Sequence, residues 1–85
     1  MHSRLKLFKL LLNKLGHQVA PIPRKSKSFY VDSILVRYDE DLEYITFYKS
    51  SREISMEIKW TSLEKTYEHF KKYQNYFNQT YSPLN

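Results

Sequence analysis

A chain of 85 residues, 41% hydrophobic and 16% aromatic, suits one small globular domain spanning residues 1–85 and is too short for two. With no cysteine it can build neither a disulfide framework nor thiolate chemistry, so a core burying only about 60–65% of the unfolded surface has to hold it. The formal charge of +5 is unevenly placed: residues 1–31 carry seven cations and no acid, whereas residues 32–85 carry seven cations against all nine acids. That polarity points toward an anionic partner, whether nucleic acid, acidic protein surface or anionic membrane, or toward a merely solubilising basic surface.

The first element expected is a helix over residues 3–15, with Ser3 as its N-cap and Gly16 where a left-handed residue ends a helix. Its start is a poor secretory signal, because Lys6, Lys9 and Lys14 interrupt the apolar residues and the longest unbroken run is Leu10–Leu12. A cytoplasmic protein is the default expectation. Pro21 and Pro23 then predict an extended, solvated, basic connector over residues 19–28. Residues 29–38 are dense in β-branched and aromatic side chains and read as a strand, closed by the acidic turn Asp39-Glu40-Asp41. A second strand covers residues 42–49, and Ser50-Ser51 turns the chain into a third over residues 52–60. There Ile54, Met56, Ile58 and Trp60 alternate with polar residues. Thr61 with Glu64 reads as a capping box opening a helix over residues 62–78. Its apolar arc is Leu63, Thr66, Tyr67, Phe70, Tyr73, Gln74 and Phe77.

The expected fold is therefore α+β: a two-layer α-β-β-β-α arrangement with a three-stranded antiparallel meander and both helices on one sheet face. Trp60, Phe70 and Ile58 are expected to be buried together where the last strand meets the last helix. The first helix carries more leucine than one contact uses. Either it wedges between sheet and second helix, or its surplus face around Leu10 meets a partner or a membrane interface.

Chemistry finds little to work with. His2, His17 and His69 are scattered, with no Cys and no HxxxH pair, so no metal site is expected. Asp39, Asp41 and Glu43 mimic the opening of a calcium loop, but its glycine is missing and its twelfth position is Ser50, which favours a hairpin turn. One glycine in the whole chain excludes P-loops and dinucleotide fingerprints. No serine has the flanking glycines of a nucleophile elbow. The expectation is a non-enzyme with no catalytic residues and no cofactor.

The order α-β-β-β-α is similar to that of the double-stranded-RNA-binding domain, which implies phosphate contacts from lysines at the start of its second helix. Here that stretch reads Thr61-Ser62-Leu63-Glu64-Lys65, capped and nearly neutral. The same order resembles the small mRNA-interferase toxins, whose chemistry implies a histidine on a central strand, and residues 42–49 contain none.

Two surfaces remain as binding candidates. One is basic: Arg24, Lys25 and Lys27 of the connector with Lys6 and Lys9 of the first helix, suited to phosphates or carboxylates. The other is the sheet face away from the helices. If Ile45 and Phe47 point inward, Tyr44, Thr46 and Tyr48 point outward, joined by Val31 and Leu35. The resulting expectation is a small binding or regulatory protein that engages another protein or a second copy of itself through the open face, for example as an inhibitor or adaptor of nucleic-acid-processing machinery. The alternative is a nucleic-acid-binding module using the basic N-terminal third, and attachment to a membrane surface ranks behind both.

Overall fold

A computed structural model describes residues 4–49 and 54–80. It is α+β, as expected, but the sheet has five strands where the sequence reading had three. The elements are α1 (Arg4–Lys14), β1 (Val19–Ile22), β2 (Lys25–Val31), β3 (Ile34–Asp39), β4 (Tyr44–Lys49), β5 (Ile54–Lys59) and α2 (Leu63–Thr80). The strands lie side by side in chain order, each antiparallel to the next. The likeness of element order to the RNA-binding domain and the interferase toxins therefore lapses.

Both extra strands come from turns that carry no glycine. Asp32 and Ser33 sit at φ 50° and 70°, and these left-handed residues make a two-residue hairpin out of what reads as one continuous strand. This conformation usually selects Asn-Gly or Asp-Gly. The expected connector is itself a hairpin: Pro23 and Arg24, the latter at φ 67°, link β1 to β2. Pro21 is accommodated because β1 is an edge strand, where a missing N–H leaves no ladder bond broken, and a register irregularity falls beside it.

The core lies between the sheet and the two helices. From α1 come Leu5, Phe8 and Leu12; from the sheet Phe29, Val31, Ile34, Val36, Tyr38, Ile45 and Phe47; and from the C-terminal part Trp60, Phe70 and Tyr73. Phe8 is its hub, with ring centroids 6.2 Å from Phe29, 6.3 Å from Phe47 and 6.2 Å from Phe70. Trp60 and Phe70 are both buried and Ile58 packs against the core from its half-buried margin, but Trp60 pairs with Tyr38 at 6.0 Å while Phe70 pairs with Phe47 at 5.7 Å. The aromatic core is thus longer than a single junction.

Helix ends explain how the layers are joined. Gly16 at φ 90° follows α1, and the His17 and Gly16 N–H groups donate to the Leu12 and Asn13 carbonyls at 3.0 and 3.1 Å, a Schellman ending. At α2 the N-cap is Ser62, whose Oγ accepts from the Lys65 N–H at 3.1 Å, so the expected cap at Thr61 is displaced by one residue. The buried Thr66 hydroxyl is satisfied by the Ser62 carbonyl at 2.9 Å. Of the surplus leucines, Leu7, Leu10 and Leu15 face solvent, so α1 buries one stripe, whose Phe8 packs against both the sheet and α2. The Ser3 cap and the Ser50-Ser51 turn lie outside the described residues. No described helix is long and apolar enough to cross a membrane.

Candidate functional site

The sheet face away from the helices is the most distinctive surface. Along β4, Ile45 and Phe47 are fully buried while Tyr44, Thr46 and Tyr48 are half-buried on the opposite side, the period of two expected of a strand with one covered face. The ladder carries this alternation across the sheet in registered rows. Ala20, Tyr30, Leu35, Tyr48 and Ser55 form one row; Ser28, Arg37, Thr46 and Glu57 the next; and Asp39, Tyr44 and Lys59 the last. The first row is a mainly apolar stripe crossing all five strands. The second and third mix a cation, an anion and a β4 side chain. Two shallow depressions share Leu35 and Arg37 as a common wall: one extends to Thr46, Tyr48 and Ser55, the other to Ile22, Lys25, Ser28 and Tyr30.

Tyr44, Thr46 and Tyr48 thus stand together as expected. Val31 does not join them: it is completely buried, because the turn at Asp32-Ser33 reverses the phase between β2 and β3 and brings Tyr30 outward in its place. Tyr30 was missed for that reason, whereas Arg37, two residues beyond Leu35 in β3, shares its face whether or not the chain turns. The clue was available, since Val31 and Ile34, three apart, would point to opposite faces of one unbroken strand, yet both are strongly apolar.

The expected basic patch is divided. Lys25 lines the open face, Lys27 is held by Glu40 of the β3–β4 turn at 2.8 Å, and Arg24 stands at the hairpin tip. A hydrogen bond and charge attraction from Glu40 raise the Lys27 pKa above its ordinary value. Lys6 and Lys9 belong to α1 in the other layer, where the Lys9 Nζ lies 5.7 Å from the Phe29 ring centroid. The five residues do not form one phosphate-sized cluster, because the segment linking them folds back as a hairpin.

A second constellation was invisible in sequence. The Schellman ending of α1 delivers His17 to Asp32, whose Oδ2 lies 2.6 Å from Nδ1, and His17 Nε2 lies 3.0 Å from the Tyr67 hydroxyl. Asp32 also accepts from the Gln18 N–H at 3.1 Å and from the Gln74 amide at 2.9 Å. Burial pushes the Asp32 carboxyl up, but the hydrogen bonds from His17, Gln18 and Gln74 outweigh it and leave the pKa below its ordinary value. With Asp32 ionised, Nδ1 carries the proton; in the neutral imidazole Nε2 then accepts from the tyrosine. The connectivity is that of an acid–base relay, yet both ring nitrogens are occupied within the protein. The cluster clasps the end of α1, the β2–β3 turn and α2 together. Among the described residues, no group of three or more His, Asp or Glu side chains is placed to share a metal ion.

Compared with protein-family models, curated proteins and solved structures, the chain gives no match.

Proposed function

We propose that this protein is a non-catalytic binding module, cytoplasmic in setting, that engages a protein surface through its open sheet face and acts as a regulator or adaptor. The observation that carries the reading is the β4 row Tyr44, Thr46 and Tyr48, half-buried on a sheet face that neither helix covers. Tyrosines on a rigid sheet give large contact area at low entropic cost, and such residues dominate interface energetics. Charge favours protein over nucleic acid. On this face Arg37 and Lys59 are matched by Glu57 and Asp39, and Lys27 is neutralised by Glu40, whereas a surface that tracks phosphates needs an excess of cations.

A second reading rests on the depression formed by Ile22, Lys25, Ser28, Tyr30, Leu35 and Arg37, where two cations flank a tyrosine with no acid among the lining residues. That half of the face could stack a base and hold a phosphate.

A photo-reactive phenylalanine analogue in place of Thr46 separates the two. Irradiation in cell lysate should yield adducts with polypeptide that survive nuclease and are lost when Tyr44→Ser and Tyr48→Ser are added, since truncating an interfacial tyrosine can cost about 2 kcal/mol, roughly thirtyfold in affinity. Adducts that vanish with nuclease select the second reading, and no adduct at all sinks both.

A further inference from the structure

We infer that the protein surface this open face fits is the same face of a second copy, related by a two-fold axis running along β4. The inference rests on the reading of that face as a protein-binding surface and names its occupant. A two-fold axis lying between two stacked sheets, parallel to the strands, leaves each residue at its own height along β4 and exchanges the strands on either side. In this sheet β3 and β5 are exchanged. The registered rows then decide what meets what. Arg37 comes to lie over the partner's Glu57, and Asp39 over the partner's Lys59, each contact being made twice by symmetry. On the axis, Tyr44, Thr46 and Tyr48 meet their own counterparts, and Leu35 meets Ser55. Sheets stacked this way sit about 10 Å apart at roughly 30°, a gap that outward side chains of tyrosine, arginine and glutamate span from both sides.

The charge pattern rejects two other simple arrangements. An axis across the strands through Thr46 would stack Arg37 on Arg37 and Glu57 on Glu57. An axis along β3, the middle strand, would cover more of the sheet but set Arg37 on Arg37 and Asp39 on Asp39. Like charges face to face disfavour association, so of these three axes the one along β4 is selected. Among the described residues Arg37, Glu57 and Lys59 make no ion pair within the chain, which leaves them available for this role. The same geometry carries β1 and β2 past the partner's β5 edge, so Tyr30 stays outside the overlap.

The test is sedimentation equilibrium of the full chain and its variants at low salt. The parent should be a dimer, and Arg37→Glu or Glu57→Arg alone should each raise the dissociation constant roughly tenfold or more. An equimolar mixture of the two variants should associate more tightly than either alone, because every charge contact in the mixed dimer is complementary. The double variant R37E/E57R should recover the parent's affinity, Tyr44→Ser with Tyr48→Ser should abolish association, and Tyr30→Ser should leave it unchanged. A mixture no tighter than its components overturns the inference, as does a Tyr30→Ser variant that dissociates. A parent that stays monomeric up to about 1 mM, well above the concentrations of specific complexes, also overturns it. In that case foreign polypeptide adducts at position 46 would keep the proposed function standing, while their absence would remove both.

Discussion

The two faces of β4 differ in consequence although they alternate along a single six-residue strand. On one side Phe47 lies against Phe8, Phe70 and Tyr73, with Ile45 buried in the same core, and this side sets stability. On the other, Tyr44, Thr46 and Tyr48 are half-buried and stand in rows with side chains of β3 and β5, and this side is available for recognition. Neighbouring aromatic residues in one strand thus take opposite roles, and composition alone does not tell them apart. Position within a period of two does.

The strongest way to break the inner face is truncation at its centre. Phe47→Ala or Phe70→Ala should each cost about 3–5 kcal/mol in urea denaturation, a large share of the roughly 4–13 kcal/mol available to a domain of this length. Because the two rings touch, their double variant should lose less than the two single losses combined. Tyr48→Ser, one residue along the strand, should cost under about 1 kcal/mol by the same measurement. Equal losses at Phe47 and Tyr48 would erase the distinction between the faces.

Asp32→Asn tests the clasp at one end of the sheet and should cost about 2 kcal/mol at neutral pH, because charge-assisted hydrogen bonds to His17, Gln18 and Gln74 are weakened. Its acid dependence has a definite sign. The folded carboxyl titrates below its ordinary value, so the stability it contributes is fully present above that value, near pH 4, and is lost as pH falls through the lower folded one. Denaturation midpoints measured from pH 6 downward should therefore fall less steeply for Asp32→Asn than for the parent. The smallest effect is expected at the β1–β2 hairpin. Combined replacement of Arg24, Lys25 and Lys27 by serine should leave the denaturation midpoint unchanged while lowering any affinity for anionic polymers and flattening its salt dependence.

The sequence was legible where one physical rule governed a stretch. β4 and α2 follow their hydrophobic periods, and Gly16 marks the end of α1. It misled where two rules competed. Asp32-Ser33 turns the chain without the glycine that announces such turns, so two strands read as one and Val31 was assigned to the wrong face. Pro21 is a strand breaker in general but harmless at a sheet edge. Of the candidate site, Tyr44, Thr46 and Tyr48 were found from alternation alone, whereas Arg37 and Tyr30 join them only once the ladder sets the register. His17, Asp32, Tyr67 and Gln74 come from distant parts of the chain, and no local pattern marks their meeting.

The chain-order meander also bears on how quickly this molecule is made and lost. Each β-ladder joins neighbours along the chain, so each closes a short loop and can form before the next, the arrangement that favours rapid folding. The contact between Phe8 and Phe70 is of another kind: it unites the two helices that flank the whole sheet in the chain. Such a seam is expected to close late, which makes it a determinant of how long the folded state survives more than of how fast it appears. Stiffening the hairpins would hasten folding, whereas tightening the aromatic seam would slow unfolding.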